Sequence, residues 1–179
     1  MLNVIRIRNL VFALTSEANW RFAIGLRIRF ANPSITLTTY PESWLRHYDE
    51  KALLHSDPAI LWGLKNLGCC RWSELADADP AGVFLAAADH GLRYGLIVSV
   101  GDEGQRSIGY FAHPDHEIAP RDADFALSVM ERLHEATEGI GAANEDVMTR
   151  LQMLATTLRQ AGTEIVPMTD AATGEGRQA

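Results

Sequence analysis

The sequence predicts an α+β layered domain, an antiparallel sheet with helices on both faces. Three observations carry that reading. First, "FAIGLRIRF" (22–30) alternates apolar and basic side chains and reads as a strand, and "SITLTT" (34–39), across an Asn32-Pro33 turn, reads as its antiparallel partner. Second, "YGLIVSV" (94–100), the turn "GDEG" and "RSIGYFAH" (106–113) read as a β-hairpin. Third, the segments between and after these pairs carry helical periodicity with start and stop residues at their ends.

Taken in order, Thr39 with Glu42 three residues later has the form of a capping box, and Pro41 suits a first turn. A helix is therefore expected over 41–54. Asp57-Pro58 starts a second over 58–66, stopped by Gly68, and "CCRW" (69–72) suits a short strand. Asp79-Pro80 caps a third helix running to about His90, ended by Gly91. Two more cover 121–137 and 144–161. The last presents Val147, Leu151, Leu154 and Leu158 on one face, which suits either a dimerisation or partner surface or a fold-back onto the same core. One domain over 1–165 is expected, and the small, polar 166–179 reads as a flexible tail or linker stub.

Composition narrows the function classes. The chain has 179 residues and net charge −7, with its basic residues scattered. Binding a phosphate backbone needs clustered Lys and Arg, so direct nucleic-acid binding is disfavoured. No apolar run is long enough for a membrane span, and Arg6, Arg8 and Asn9 interrupt any signal-peptide core. Cys69 and Cys70 are adjacent and form no disulfide framework, which fits a cytoplasmic protein with reduced thiols. Phosphate loops, dinucleotide fingerprints, nucleophile elbows and HExxH zinc motifs do not occur. "HPDH" (113–116) is read as a solvated loop rather than a metal site. No cofactor, metal or catalytic constellation is expected.

The stretch with most chemistry is "TTYPESWLRHYDEKALLHSDP" (38–58). Tyr40, Trp44 and Tyr48 recur every four residues and so stack on one helix face. Asp57 follows, and Trp72 comes after one short helix. Tyr and Trp pair an apolar body with a polar tip that seeks a partner when buried. A carboxylate among them makes a pocket with one strong acceptor and two fixed donors. That set suits a small ligand with an amide N–H, one or two carbonyls and an apolar tail. A plain core stripe beside a helix cap fits the same residues.

"YPESWLRHYDEKALLHSDP", "RWSEL", "ADHGLRYGLIVSV" and "RSIGYFAH" together resemble the autoinducer-binding domain of LuxR-type quorum-sensing regulators, over roughly 20–137. The resemblance implies an α-β-α sandwich of GAF/PAS-like shape and an N-acyl-homoserine lactone ligand. On that pattern Tyr40 donates to the ligand's amide carbonyl, Trp44 donates to the lactone carbonyl, and Asp57 accepts the amide N–H. Tyr48 flanks the acyl chain and Trp72 packs on the headgroup. Thr36, Ile60, Phe84, Ala87, Leu92 and Ile97 fall at pocket-facing positions. Ala112 stands where several relatives carry a hydroxyl and Ala59 likewise lacks one, which favours an unsubstituted tail.

There are departures as well. Ser99 stands where Pro is usual, and the region before Trp20 is shorter than the family's first helix. Relatives continue into a DNA-binding helix-turn-helix, and this chain is expected to be either a truncated or a natural stand-alone form lacking that domain. It is thus expected to act as a homodimer or as a heterodimer with a full-length regulator. A sensor of the same shape for a different ligand is the main alternative; an enzyme is disfavoured for want of a nucleophile–base pair.

Overall fold

The computed structural model describes residues 2–29, 32–102, 104–140 and 144–164. Strand β1 (Arg21–Ile28) pairs with β2 (Ile35–Thr38), as the alternating pattern predicts, in register Ala23↔Thr38 to Leu26↔Ile35. The predicted hairpin forms β4 (Tyr94–Asp102) and β5 (Gln105–His113), and Gly68–Arg71 makes β3. All pairings are antiparallel, in the order β2-β1-β5-β4-β3. β1 therefore meets β5 as well as its sequence neighbour β2, and β5 becomes the central strand.

Because strand side chains alternate between faces, the sheet builds two cores. Phe22, Ile24, Leu26, Leu96, Val98 and Phe111 face the first. Onto them pack α1 (Leu2–Glu17), α5 (Pro120–Ala136) and α6 (Glu145–Glu164). Ile97, Ile108 and Ala112 face the second, covered by α2 (Glu42–Glu50), α3 (Pro58–Lys65) and α4 (Val83–Ala88). The predicted layering holds: helices lie on both faces.

α1 went unread in the sequence, yet Ile7, Leu10, Val11 and Leu14 are spaced to form one helical stripe and are all buried. Each contributes roughly 1.5–3 kcal/mol on burial. α6 folds back on this core: Leu151 and Leu158 are buried in it, with Val147 and Leu154 packed against it. No described helix is long and apolar enough to cross a membrane.

Three local expectations are corrected. Thr39 does not cap α2; its hydroxyl accepts from the Phe22 amide at 2.9 Å, so the end of the β1–β2 ladder claims it, and Pro41 caps without a side-chain bond. α2 stops at Glu50 because Ala52 turns left-handed at φ 50°, and a 3-10 turn (Leu53–His55) replaces the expected last helical turn. Asp79-Pro80 does not begin a helix. Asp79 instead accepts from the Val83 and Phe84 amides, both at 2.9 Å, across a loop in which Gly82 takes φ 67°. The expected strand over 69–72 ends at Arg71, and Trp72 instead begins a 3-10 helix running to Ala78. The predicted tail at 166–179 lies outside the described residues.

Candidate functional site

The second core is where the predicted residues converge. Asp57 caps α3 in extended conformation, and its Oδ1 accepts from the Ala59 amide at 2.8 Å. Its Oδ2 accepts from the Tyr48 hydroxyl, also at 2.8 Å. The carboxylate is thus spent partly on a helix start and partly on the aromatic stripe of α2, while only 8% of the residue is exposed. Burial pushes its pKa up; the Tyr48 hydroxyl and the Ala59 and Ile60 amides pull it back.

Tyr40 and Trp44 are buried beside it. The Tyr40 hydroxyl donates to the Tyr110 carbonyl at 3.2 Å, long for an O–H···O bond. Burial, then the nearby Asp57 charge, hold the Tyr40, Tyr48 and Tyr110 phenols protonated, well above the usual range. Trp44 meets Tyr48 edge-on at 5.4 Å and stacks on His47 at 5.8 Å. His90, whose Nδ1 lies 2.9 Å from Ser43 Oγ, completes a cluster of three rings with Trp44 and His47. Burial, then His47, lower the His90 pKa.

Trp72 stacks on Phe84 at 4.9 Å and 15°. It lies directly on the β4 backbone: a Cβ at Gly95 would sit 2.0 Å from the indole, so only glycine admits the ring there. Trp72 is 7% exposed, and among the described residues its indole N–H is the one buried side-chain polar atom with no hydrogen-bond partner. Such a group marks a place where a partner is expected.

Of the other predicted residues, Ala87, Leu92, Ile97 and Ala112 are fully buried in this core and Phe84 packs against it. Ile60 is half-buried next to Asp57, and Thr36 is exposed on the edge strand β2, outside the cluster. Sequence reading missed Tyr110, Gly95 and Gly63. The signal for Tyr110 was available: in a strand it shares a face with Ile108 and Ala112. Hollows of about 410 and 620 Å³ lie elsewhere, one beside α1 at Ile5, Arg6 and Arg132, the other along β4 and α5 at Ser99, Leu127 and His134.

Comparison with known proteins identifies the family over the same stretch of chain. Residues 21–137 match the autoinducer binding domain family. Over 87 residues the chain is 32% identical to the transcriptional activator protein VanR of Vibrio anguillarum, a stretch covering 46% of this chain and 36% of VanR. Its fold is similar to that of CepR2, an N-acylhomoserine-lactone-dependent LuxR family transcription factor from Burkholderia cenocepacia. There the TM-score is 0.56 at 15% identity, over 84% of this chain and 99% of that one. It is also similar to SdiA in complex with octanoyl-rac-glycerol, with TM-score 0.55 at 18% identity, over 84% of this chain and 60% of that one. The matched span contains the whole sheet, the aromatic stripe of α2, Asp57 and Trp72. The chain belongs to the autoinducer-binding domain family, the sensory domain of LuxR-type quorum-sensing regulators.

Proposed function

We propose that the domain senses an N-acyl-homoserine lactone held between the sheet and α2–α4. The observation that carries this is the Asp57 carboxylate, buried among amphipathic rings and bonded only to neutral donors. A carboxylate offers about four lone-pair sites. The Tyr48 hydroxyl and the Ala59 and Ile60 amides occupy three, leaving one for a ligand amide N–H. Tyr40 exchanges its long bond to the Tyr110 carbonyl for the ligand's amide carbonyl. Trp44 donates to the lactone carbonyl, Tyr48 flanks the acyl chain and Trp72 packs on the headgroup. Ala87, Leu92, Ile97, Phe84 and Ala112 supply apolar wall, and Ile60 joins them from α3. Thr36, exposed, contributes least.

The unit that does this is residues 1–165, and it acts as a homodimer or paired with a full-length regulator. It binds signal without turning it over, so lactone incubated with the protein stays intact for hours. A second reading is favoured by one neighbour: SdiA holds octanoyl glycerol, an acyl compound with no lactone ring. Thermal unfolding against graded lactones and matching monoacylglycerols separates the two, with mass spectrometry of an organic extract of the same preparation. A ligand at a hundred times its Kd stabilises by ~2.7 kcal/mol, a shift of several degrees. Shifts from lactones alone support the first reading, shifts from glycerides alone the second. No shift from either class overturns both.

A further inference from the structure

Tyr110 stands in the middle of the central strand, opposite Ala23 of β1 and Ile97 of β4. Its phenol crosses the gap to α3. A Cβ built on Gly63 would lie 3.3 Å from the Tyr110 hydroxyl and 2.9 Å from Ile108 Cγ2, so strand and helix touch here with no room for even a methyl group. The helix is tied down at the same point. The Gly63 carbonyl accepts from Ser99 Oγ at 2.9 Å and from the Arg106 guanidinium at 3.4 Å, and Arg106 also donates to the Asn66 carbonyl. The Tyr40 hydroxyl holds the Tyr110 carbonyl.

We infer that Tyr110, backed by Ile108 and Gly63, is the end wall of the acyl site and restricts this sensor to short acyl tails. The inference rests on the function proposed above, because Asp57 fixes the amide end of the ligand at the start of α3. Gly63 lies about six residues further along that helix, ~9 Å at 1.5 Å per residue. An extended chain covers ~1.2 Å per bond, so a tail of roughly six carbons or fewer spans the interval. Each methylene buried before the wall raises affinity about fourfold; beyond it, further methylenes meet a phenol and a pinned helix, and gain nothing.

The test is calorimetric titration of wild type, Tyr110→Ala, Tyr110→Leu and Tyr110→Phe with butanoyl, hexanoyl, octanoyl, decanoyl and dodecanoyl homoserine lactones and the matching monoacylglycerols. Wild type and Tyr110→Phe are expected to bind the two shortest tails best. In Tyr110→Ala and Tyr110→Leu the optimum moves to longer tails, with decanoyl affinity rising at least ~10-fold. Wild type binding decanoyl or dodecanoyl best overturns the inference, as does one profile shared by all variants that fold by circular dichroism. If Tyr110→Ala fails to fold, the leucine variant and the wild-type optimum still decide. No binding of either ligand class by any folded protein overturns the functional reading beneath it, a separate and recognisable result.

Discussion

The Tyr48 hydroxyl donates to Asp57 Oδ2 at 2.8 Å, tying the middle of α2 to the cap of α3. Asparagine caps as well as aspartate, so Asp57→Asn keeps an oxygen to accept from the Ala59 amide, while its NH2 replaces the other oxygen and the Tyr48 hydroxyl turns to accept from it. What it removes is buried charge. Since burial raises the Asp57 pKa above its unfolded value, the folded state binds that proton more tightly. The stability this contributes is present at low pH and lost as pH rises through the folded pKa. At neutral pH the ligand-free Asp57→Asn protein should therefore match or exceed wild type in Tm, while its lactone affinity falls by about 10- to 100-fold. Equal affinity in the two proteins would remove Asp57 from the site.

Trp72→Phe keeps the stack on Phe84 and deletes an indole N–H that has no partner. Ligand-free stability should change by less than about 1 kcal/mol, because an orphan donor contributes nothing when made and costs when buried. If a headgroup carbonyl accepts that N–H, affinity drops about 5- to 10-fold. The Trp72 indole proton resonance should then move downfield on ligand addition. An unmoved resonance and an unchanged Kd would leave Trp72 as packing only.

Arg27 sits at the β1 bulge with φ 55°, and only 5% of it is exposed. Its guanidinium donates to Thr137 Oγ1 at 3.2 Å, to Gln105 Oε1 at 3.0 Å and to the His134 carbonyl at the end of α5. Arg27→Ala should cost about 2–4 kcal/mol in chemical denaturation, since buried acceptors lose a charged donor. Arg27→Gly should cost ~1 kcal/mol less, because glycine tolerates the left-handed backbone. Equal losses would show that the backbone there is unstrained.

Burial lowers the pKa of His90, His113 and His134, with His47, His116 and Arg27 respectively adding to it. A histidine with a lowered folded pKa binds fewer protons folded than unfolded, so stability is lost as pH falls below about 6.5. Denaturation midpoints should decline from pH 7.5 to 5.5, and His134→Gln should flatten that slope. A midpoint independent of pH over this range would contradict the buried or part-buried placement of these rings.

Much of this was legible in the sequence, for identifiable reasons. The hairpin was readable because strand period and turn residues agree across 94–113, and α3 because Asp57-Pro58 is a strong local start. Tyr40, Trp44, Tyr48 and Asp57 could be grouped because helical spacing and one short turn are local geometry. Thr39 departs from expectation because the Phe22 amide, distant in sequence, takes its hydroxyl, and Asp79 because the left-handed turn at Gly82 moves the helix start on to Val83. α1 was passed over because Arg6 and Arg8 were weighed against a signal peptide rather than placed on the exposed side of a helix. Tyr110 was readable as a face-mate of Ile108 and Ala112, whereas the central place of its strand depends on the β1–β5 pairing, which no local pattern supplies.

Gly109 sits between Ile108 and Tyr110, and a side chain there would collide with Met130 Sδ at 2.9 Å and with the Phe111 ring at 2.7 Å. At this point a single backbone separates the two halves of the molecule. On the side away from Tyr110, Met130 of α5 rests directly on this backbone with no side chain between. The central strand therefore brings the two helical layers within one backbone of each other, and its thinnest spot lies beside Tyr110.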